Sequence, residues 1–232
     1  MAYGARNRDL AITKEHPAAT VRHKVKILNK AVNTLKIKDR VFGSRQVAEN
    51  TRWFDPVTAG SDLYRCLPDY LQPGLKVVFV GFNPGERSAR IGHYYAGRGN
   101  QFWNFLHESG LVPEKLRPED DHRILEFRLG LTDVVKRWSR SCGSLRAIDY
   151  QKGIPPLIAK LHEVRPRAVA FNGKGAYQKV SGRFVRLGLQ RENLEGAHVF
   201  VLPSTSGRNG SLTRAAKLAY FRRLARWVKE NG

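Results

Sequence analysis

The residues best suited to chemistry lie in one segment, VGFNPGERSARIGHYYAGRGNQFWNFL. An apolar run ends there at Asn83-Pro84-Gly85, and Tyr95 follows twelve residues after Asn83. An asparagine on a stiff Pro-Gly turn offers both a carbonyl acceptor and an amide donor, so it can hold a water molecule and aim its lone pair at an electrophile. The alternative is an Asx turn, in which Asn83 only closes the loop.

Two adjacent tyrosines form the second candidate feature of this segment. Tyr94 and Tyr95 are flanked by Gly92 and by an Ala-Gly-Arg-Gly stretch, which indicates a loop that exposes rings more readily than a helix does. An exposed ring can stack on a nucleic-acid base. Packing of both rings in the core is the alternative. His93, directly before them, could hydrogen-bond a base or a phosphate, but a lone histidine is more often structural, and we interpret it so.

The chain is strongly basic. Its 232 residues include 41 Lys+Arg against 20 Asp+Glu, which gives a formal net charge of +21. Because such a surplus repels itself in a compact state, a polyanionic partner is expected, and nucleic acid is the commonest. The seven histidines and two cysteines do not cluster as metal ligands do, and the NGKG stretch lacks the spacing of a P-loop. We therefore expect neither a metal nor a cofactor.

Three apolar runs are typical of buried strands, and each precedes a turn-rich loop. The runs cover residues 75–80, 167–171 and 198–202, and the loops read GFNPG, NGKG and PSTSGRNG. Helical periodicity lies between and after them, at about residues 100–109, 118–127, 153–164, 173–182 and 212–230. This alternation predicts an α/β domain with a mainly parallel sheet. Since such sheets bind ligands beyond the carboxyl ends of their strands, we expect the three loops at one rim.

GFNPG, GHYYAGRGNQFW, GLTDVVKR, FNGK and VLPSTSGR occur in this order within about residues 75–230. The combination resembles the thymine-DNA glycosylase and mismatch-specific uracil-DNA glycosylase family. The resemblance implies a uracil-DNA-glycosylase-like fold, a three-layer α/β/α sandwich with a mainly parallel central sheet. It also implies a base flipped out of DNA and cleavage of its N-glycosidic bond, which leaves an abasic site.

The resemblance also implies roles for single residues around the flipped base. Asn83 matches the family asparagine that positions the hydrolytic water. Tyr95 matches the aromatic residue that stacks on the base, and Phe82, Ser88 and Asn100 are predicted to bind the base with it. The small Ser88 would admit a methyl group at C5 of the pyrimidine.

The PSTSGRNG stretch matches the family's insertion loop. The resemblance implies that Arg208 fills the hole left by the flipped nucleotide, with Ser206 and Gly207 directly before it. A planar guanidinium that stacks on bases suits this task independently. The alternative is that Arg208 contacts a phosphate. Ser204 and Ser206 are expected to donate to phosphates that flank the lesion.

Asp133, in the GLTDVVKR motif, departs from relatives that have asparagine or lysine there. An ionised carboxylate could accept the N3–H of uracil or thymine, take a proton from the attacking water, or stabilise positive charge on the deoxyribose. We predict that Asp133 is a second catalytic residue. The alternative is an ion pair with Lys136 or Arg137 at a strand end.

Residues 71–232 are predicted to form the glycosylase domain, and residues 1–70 a basic N-terminal extension, partly helical or flexible. Pro68, Pro73 and Gly74 mark the boundary. The extension has a net charge of +6, and residues 71–232 contain 28 Lys+Arg against 13 Asp+Glu, so the folded part is itself basic. With no membrane-span pattern and no signal-peptide pattern, we expect a cytoplasmic monomer with no membrane partner, associated with the nucleoid if bacterial.

The predicted function is a monofunctional DNA repair glycosylase that removes uracil from mismatched DNA, with thymine and other damaged pyrimidines as further substrates. Its expected partner is double-stranded DNA with G·U or G·T mispairs, because extrusion costs least at a mismatch. Single-stranded DNA is a further candidate. A catalytically inactive nucleic-acid-binding module on the same fold is the alternative. A deaminase or nuclease ranks third, because both commonly need a metal cluster.

Overall fold

A computed structural model of the protein describes residues 66–231. Most of the predicted N-terminal extension, residues 1–65, therefore lies outside the described residues, and the division after residue 70 stays a prediction. Within the described range, Leu67 is buried, and Tyr70 forms an antiparallel bridge with Leu131. Packing onto the folded domain thus already includes Leu67 and Tyr70, before position 71.

A five-stranded, mostly parallel sheet lies at the centre of the domain. The strands are β1 (Val77–Gly81), β2 (Leu129–Asp133), β3 (Ala168–Asn172), β4 (Gly188–Leu189) and β5 (His198–Leu202). Their order is β2-β1-β3-β5-β4, and only β4 runs antiparallel to its neighbour. Every residue of β1, β2 and β3 is buried, as expected where both faces of a parallel sheet are covered by helices.

Helices cover both faces of this sheet. They are α1 (Glu86–Ile91), α2 (Phe102–Glu108), α3 (Ala147–Val164), α4 (Lys174–Ser181) and α5 (Arg214–Asn231), with 3₁₀ helices at Pro118–Phe127 and Cys142–Ser144. One core contains the helical residues Phe102 and Phe221, and the other contains Leu161 and Tyr177. This arrangement confirms the predicted three-layer α/β/α sandwich. No helix in the described range is long and apolar enough to cross a bilayer.

The structure differs from the predicted elements in several places, and α1, β4 and the 3₁₀ helix at Cys142–Ser144 were not predicted at all. β2 was not among the predicted strands, because Gly130 and Thr132 interrupt its apolar pattern. The helix predicted from residue 153 begins at Ala147, where the Asp149 carboxylate accepts the backbone N–H of Arg146 at 2.7 Å and caps the additional turns. The segment predicted as a helix at 118–127 is a 3₁₀ helix.

Candidate active site

The carboxyl ends of the parallel strands open into a cleft of about 1000 Å³. All ten site residues predicted from the sequence line it. They are Phe82, Asn83, Ser88, Tyr95, Asn100, Asp133, Ser204, Ser206, Gly207 and Arg208. The fold therefore brings together residues that are up to 126 positions apart in the chain, and the roles predicted for each of them stay predictions.

The Asn83 side chain is fixed by its nitrogen. Nδ2 donates to the backbone oxygens of Arg137 at 2.9 Å and Pro84 at 3.1 Å and to Ser139 Oγ at 2.8 Å. Oδ1 accepts no hydrogen bond from the described residues, whereas an Asx turn would use that oxygen to close the loop. The amide is therefore anchored through its nitrogen, while its oxygen has no partner among the described residues. Such an oxygen can accept a hydrogen bond from a water molecule.

Ser139 positions Asn83. Its buried hydroxyl accepts from Asn83 and donates to the backbone oxygen of Ser141 at 2.6 Å. Its backbone N–H donates to the oxygen of Pro84 at 3.1 Å. These contacts join the loop after β1 to the loop after β2, and thereby hold the asparagine at the junction of two adjacent strands.

Asp133 is the last residue of β2 and lies beside Gly81 of β1. It is only 5% exposed, and its Oδ2 has no hydrogen-bond partner within residues 66–231. A Cβ on Gly81 would lie 2.2 Å from Asp133 Oδ1 and 3.4 Å from Tyr95 Oη, so only glycine leaves room for the carboxylate. A buried polar atom without a partner is rare in folded proteins and calls for an explanation, such as a catalytic role or a bound water or ion.

The ion pairs that the sequence offered as an alternative for Asp133 are absent from the described part of the chain. Lys136 pairs with Asp69 at 2.7 Å, and Arg137 pairs with Asp149 at 2.8 Å. Burial raises the pKa of Asp133 to about 7, and the nearby positive charge of Lys136 opposes this effect only in part. The carboxylate therefore changes charge near neutral pH, in the range where an acid or base catalyst is effective.

The two tyrosines occupy different environments. Tyr94 is buried in the core, whereas Tyr95 is half-buried, with φ at +55°, and its ring stacks on Phe102 with the centroids 3.8 Å apart. One face of the Tyr95 ring is therefore already covered, and only the other can receive a base. Its hydroxyl is buried without a partner among the described side chains, and burial together with the charge of Asp133 raises its pKa.

Asp121 stabilises the turn that contains Tyr94 and Tyr95. This carboxylate is fully buried and accepts from the backbone N–H of Tyr94 at 2.9 Å and from the Tyr70 hydroxyl at 2.8 Å. His93 Nδ1 lies 3.2 Å from the same carboxylate. This contact agrees with the interpretation of His93 as structural.

Three of the predicted base-binding residues also hold the cleft wall. The Ser88 hydroxyl accepts the backbone N–H of Ala96 at 3.0 Å, and Asn100 Oδ1 accepts that of Phe102 at 3.0 Å. The Phe82 ring packs so closely on α4 that a Cβ on Gly175 would lie 2.6 Å from its Cζ. Asn100 Nδ2 has no partner among the described residues, so this amide retains a free donor.

The loop after β5 reaches across the mouth of the cleft. Ser204 Oγ accepts the backbone N–H of Ser206, and Ser206 Oγ accepts that of Arg208, each at 3.3 Å. The Arg208 guanidinium donates to the backbone oxygen of Arg140 at 2.9 Å. A Cβ on Gly207 would lie 3.0 Å from the backbone oxygen of Gly99, so a larger residue would press the two loops apart by a few tenths of an ångström.

Asn172 is a cleft residue that the sequence analysis missed. It is the last residue of β3 and is buried, and it exchanges two hydrogen bonds with Thr205: Nδ2 donates to Oγ1 at 2.8 Å and Oδ1 accepts the backbone N–H at 3.1 Å. It thereby joins the sheet to the loop that contains Arg208. A signal was available, because Asn172, like Asn83, is an amide residue at the end of a buried strand.

The described lining of the cleft has arginines but no lysine. Arg87, Arg90, Arg98, Arg140 and Arg208 are its basic residues. Within residues 66–231, no group of three or more His, Cys, Asp or Glu side chains is placed to hold a metal ion. The arrangement is a basic cleft with the anchored Asn83 amide and the buried Asp133 carboxylate at its base.

The sequence of the chain matches the model of the uracil DNA glycosylase superfamily over residues 68–229. The chain also resembles a solved protein from Methanosarcina acetivorans, a candidate uracil DNA glycosylase whose structure was determined by NMR in solution. The two sequences are 27% identical, the match covers 70% of this chain and 98% of the other, and the TM-score is 0.49.

Proposed function

Because the chain belongs to the uracil DNA glycosylase superfamily, we propose that it is a monofunctional DNA glycosylase that removes uracil from mismatched DNA and leaves an abasic site. Within the superfamily we propose the branch of thymine-DNA and mismatch-specific uracil-DNA glycosylases, with thymine and other damaged pyrimidines as further substrates. One observation carries the proposal: Asn83 and Asp133 line one cleft at the ends of neighbouring strands, and each has a side-chain oxygen without a partner within residues 66–231.

Asn83 holds the attacking water. Since its nitrogen is bound by Ser139 and by backbone oxygens, only Oδ1 remains to accept a hydrogen from water. The water is then oriented with its lone pair toward C1′ of the deoxyribose, which converts an encounter with bulk solvent into attack by a placed nucleophile. The rigid anchoring of Nδ2 supports this role, because a freely rotating amide would present either end to the substrate.

Asp133 completes the hydrolysis as an ionised carboxylate. Cleavage of the N-glycosidic bond builds positive charge on the sugar, and a negative group in a buried position stabilises that charge more strongly than it would in water. The same carboxylate can take the proton that the attacking water loses. The base departs as an anion, and the free Nδ2 of Asn100 is a donor for its carbonyl oxygen.

Base release can occur without a lysine nucleophile. A glycosylase that also nicks the strand uses an amine to form a Schiff base with the sugar. The lining of the cleft over residues 66–231 includes no lysine. This composition supports direct hydrolysis by water and hence the monofunctional assignment.

The test is base release from duplexes with G·U, G·T and A·U pairs and from single-stranded uracil DNA, with EDTA present and alkaline cleavage of the product. We expect release from G·U and G·T duplexes at a higher rate than from A·U, because a mispaired base costs less to extrude. Tight binding without release from any substrate would contradict the proposal and favour an inactive binding module.

Arg208 is proposed to fill the space vacated by the flipped nucleotide. We expect Arg208→Ala to slow release from a G·U duplex by about 10- to 100-fold, because stacking of a planar side chain on bases contributes about 1–3 kcal/mol. Release from single-stranded DNA should change much less, since no hole forms there. Single-turnover rates on both substrates measure the difference.

Arg98→Ala is the matched control, because Arg98 lines the same cleft as an exposed guanidinium. Loss of a phosphate contact weakens binding to both substrates alike. If Arg208→Ala slowed both substrates to the same degree, Arg208 would be a phosphate contact as well, and the insertion role would be wrong.

The cellular location of the enzyme stays a prediction.

A further inference from the structure

Asp69 is a buried carboxylate outside the catalytic cleft. Its side chain is 2% exposed and lies against the edge strand β2. It accepts hydrogen bonds from Thr132 Oγ1 at 2.6 Å, Lys136 Nζ at 2.7 Å and Lys160 Nζ at 2.5 Å. Thr132 directly precedes Asp133, so this cluster borders the catalytic carboxylate through the backbone of one strand.

Lys136 was the expected ion-pair partner of Asp133, but it pairs with Asp69. It follows Asp133 by three residues, and its charge acts on that carboxylate, yet its ammonium group is bound to Asp69 and lies 3.3 Å from the Tyr94 hydroxyl. Burial alone would raise the pKa of Asp69, but Lys136 and Lys160 outweigh burial and lower it, so Asp69 stays ionised. The ion pair between Asp69 and Lys136 therefore persists at neutral pH.

We propose that Asp69 is a positioning residue that binds the ammonium group of Lys136 and thereby keeps Asp133 unpaired at the base of the cleft. The assignment rests on the proposed function of Asp133. Without Asp69, a lysine on a flexible four-carbon side chain could pair with Asp133, the buried carboxylate on which its charge already acts. In such a pair the negative charge of Asp133 would be neutralised by Lys136 and would no longer act on the substrate.

Four charged or titratable groups surround Asp133 within the described residues. Lys136 favours its ionised form, whereas Asp69 disfavours it, and the hydroxyls of Tyr94 and Tyr95 are neutral at physiological pH because their pKa values are raised. Removing the Asp69 charge and releasing Lys136 therefore act in the same direction. Both make Asp133 easier to ionise.

The test measures the titration of Asp133 itself in the full-length, DNA-free protein. Aspartate labelled with ¹³C at the carboxyl carbon gives one NMR signal for each residue, and Asp133→Asn assigns the signal of interest. We expect the midpoint of Asp133 to fall by about one pH unit in Asp69→Asn and to rise in Lys136→Met. In the double variant the two effects oppose each other, so the midpoint should lie between those of the single variants.

Lys160→Met is the matched control, because Lys160 also binds Asp69 but is not among the charges that act on Asp133. We expect this variant to shift the Asp133 midpoint by less than half of the Asp69→Asn shift. An unchanged or higher midpoint in Asp69→Asn would overturn the proposal. If Asp69→Asn does not fold, Lys136→Met decides, since an unchanged or lower midpoint there overturns it equally.

The titration and the base-release assay separate the two proposals. Failure of the proposed function would appear as no base release by the wild type, whatever the NMR midpoints. If the positioning role is wrong, the variants will release base but will show the same Asp133 titration midpoint as the wild type. In an active enzyme, the ascending limb of the pH–rate profile of Asp69→Asn should move to lower pH together with the NMR midpoint.

Discussion

Asn83→Ala is expected to reduce the single-turnover rate of base release from a G·U duplex by roughly 10²–10³-fold, the usual effect of removing one placed catalytic group. The variant loses the only acceptor that the anchored amide offers to water, whereas the arginines that line the cleft are unchanged. The dissociation constant for duplex DNA should therefore stay close to that of the wild type. Rapid-quench measurement under enzyme excess gives the rate, and fluorescence anisotropy gives the affinity.

Asn104→Ala is the control for this experiment. Asn104 is an asparagine on α2 that donates to Gln101 Oε1 at 3.3 Å, and it does not line the cleft. Its removal should leave the rate of base release unchanged. A wild-type rate in Asn83→Ala, with wild-type affinity, would show that another group places the water. Loss of both rate and affinity would instead indicate a DNA contact.

Asp133→Asn is expected to lower the single-turnover rate at pH 8 by about 100-fold, because asparagine keeps the shape of the side chain but removes its negative charge and its basicity. The wild-type rate should rise with pH through about 7, where the buried carboxylate loses its proton. In the variant this ascending limb should disappear. Rates measured between pH 5.5 and 9 in buffers of constant ionic strength test both statements.

The charge control for Asp133→Asn is Glu119→Gln, which removes one negative charge from an exposed side chain that does not line the cleft. It should retain both the rate and the ascending limb. Equal rates for Asp133→Asn and the wild type on every substrate would exclude a catalytic role for Asp133. A lower rate with the limb intact would mean that a different group titrates near pH 7.

The same carboxylate has a predictable effect on stability. Its pKa is about 7 in the folded protein but close to 3.8 when the chain is unfolded. Between these values the native state binds a proton that the unfolded state lacks, so the contribution of Asp133 to stability falls as the pH rises from about 4 to 7. Asp133→Asn should therefore unfold at a higher temperature than the wild type at pH 8, and this difference should shrink toward pH 4.

The sequence was sufficient to predict the residues at the ends of β1 and β5. There the signal is local, since an apolar run leads directly into a loop of polar and small residues, and the position of Asn83 follows from that pattern. β2 was harder to predict because Gly130 and Thr132 interrupt its apolar pattern. The catalytic candidate Asp133 was found through a family motif rather than through its strand.

The groups that hold the site could not be predicted from local signals. Ser139 bonds Asn83 across 56 positions of the chain, and Asp69 bonds Lys136 across 67. Nothing near Lys136 in the sequence indicates that its partner is Asp69 rather than Asp133, so the sequence offered only the pairing with Asp133. Only the folded edge of the sheet, where residues 67–70 lie along β2, distinguishes them.

The closeness of Gly81 to Asp133 makes the two positions epistatic. A methyl group at residue 81 would displace the carboxylate, and a shorter side chain at residue 133 would make room for that methyl group. Substitutions at the two positions therefore cannot be ranked one at a time. A library designed to alter the lesion range of this enzyme should randomise residues 81 and 133 together. A single-site scan would miss variants that are active only when both residues are changed.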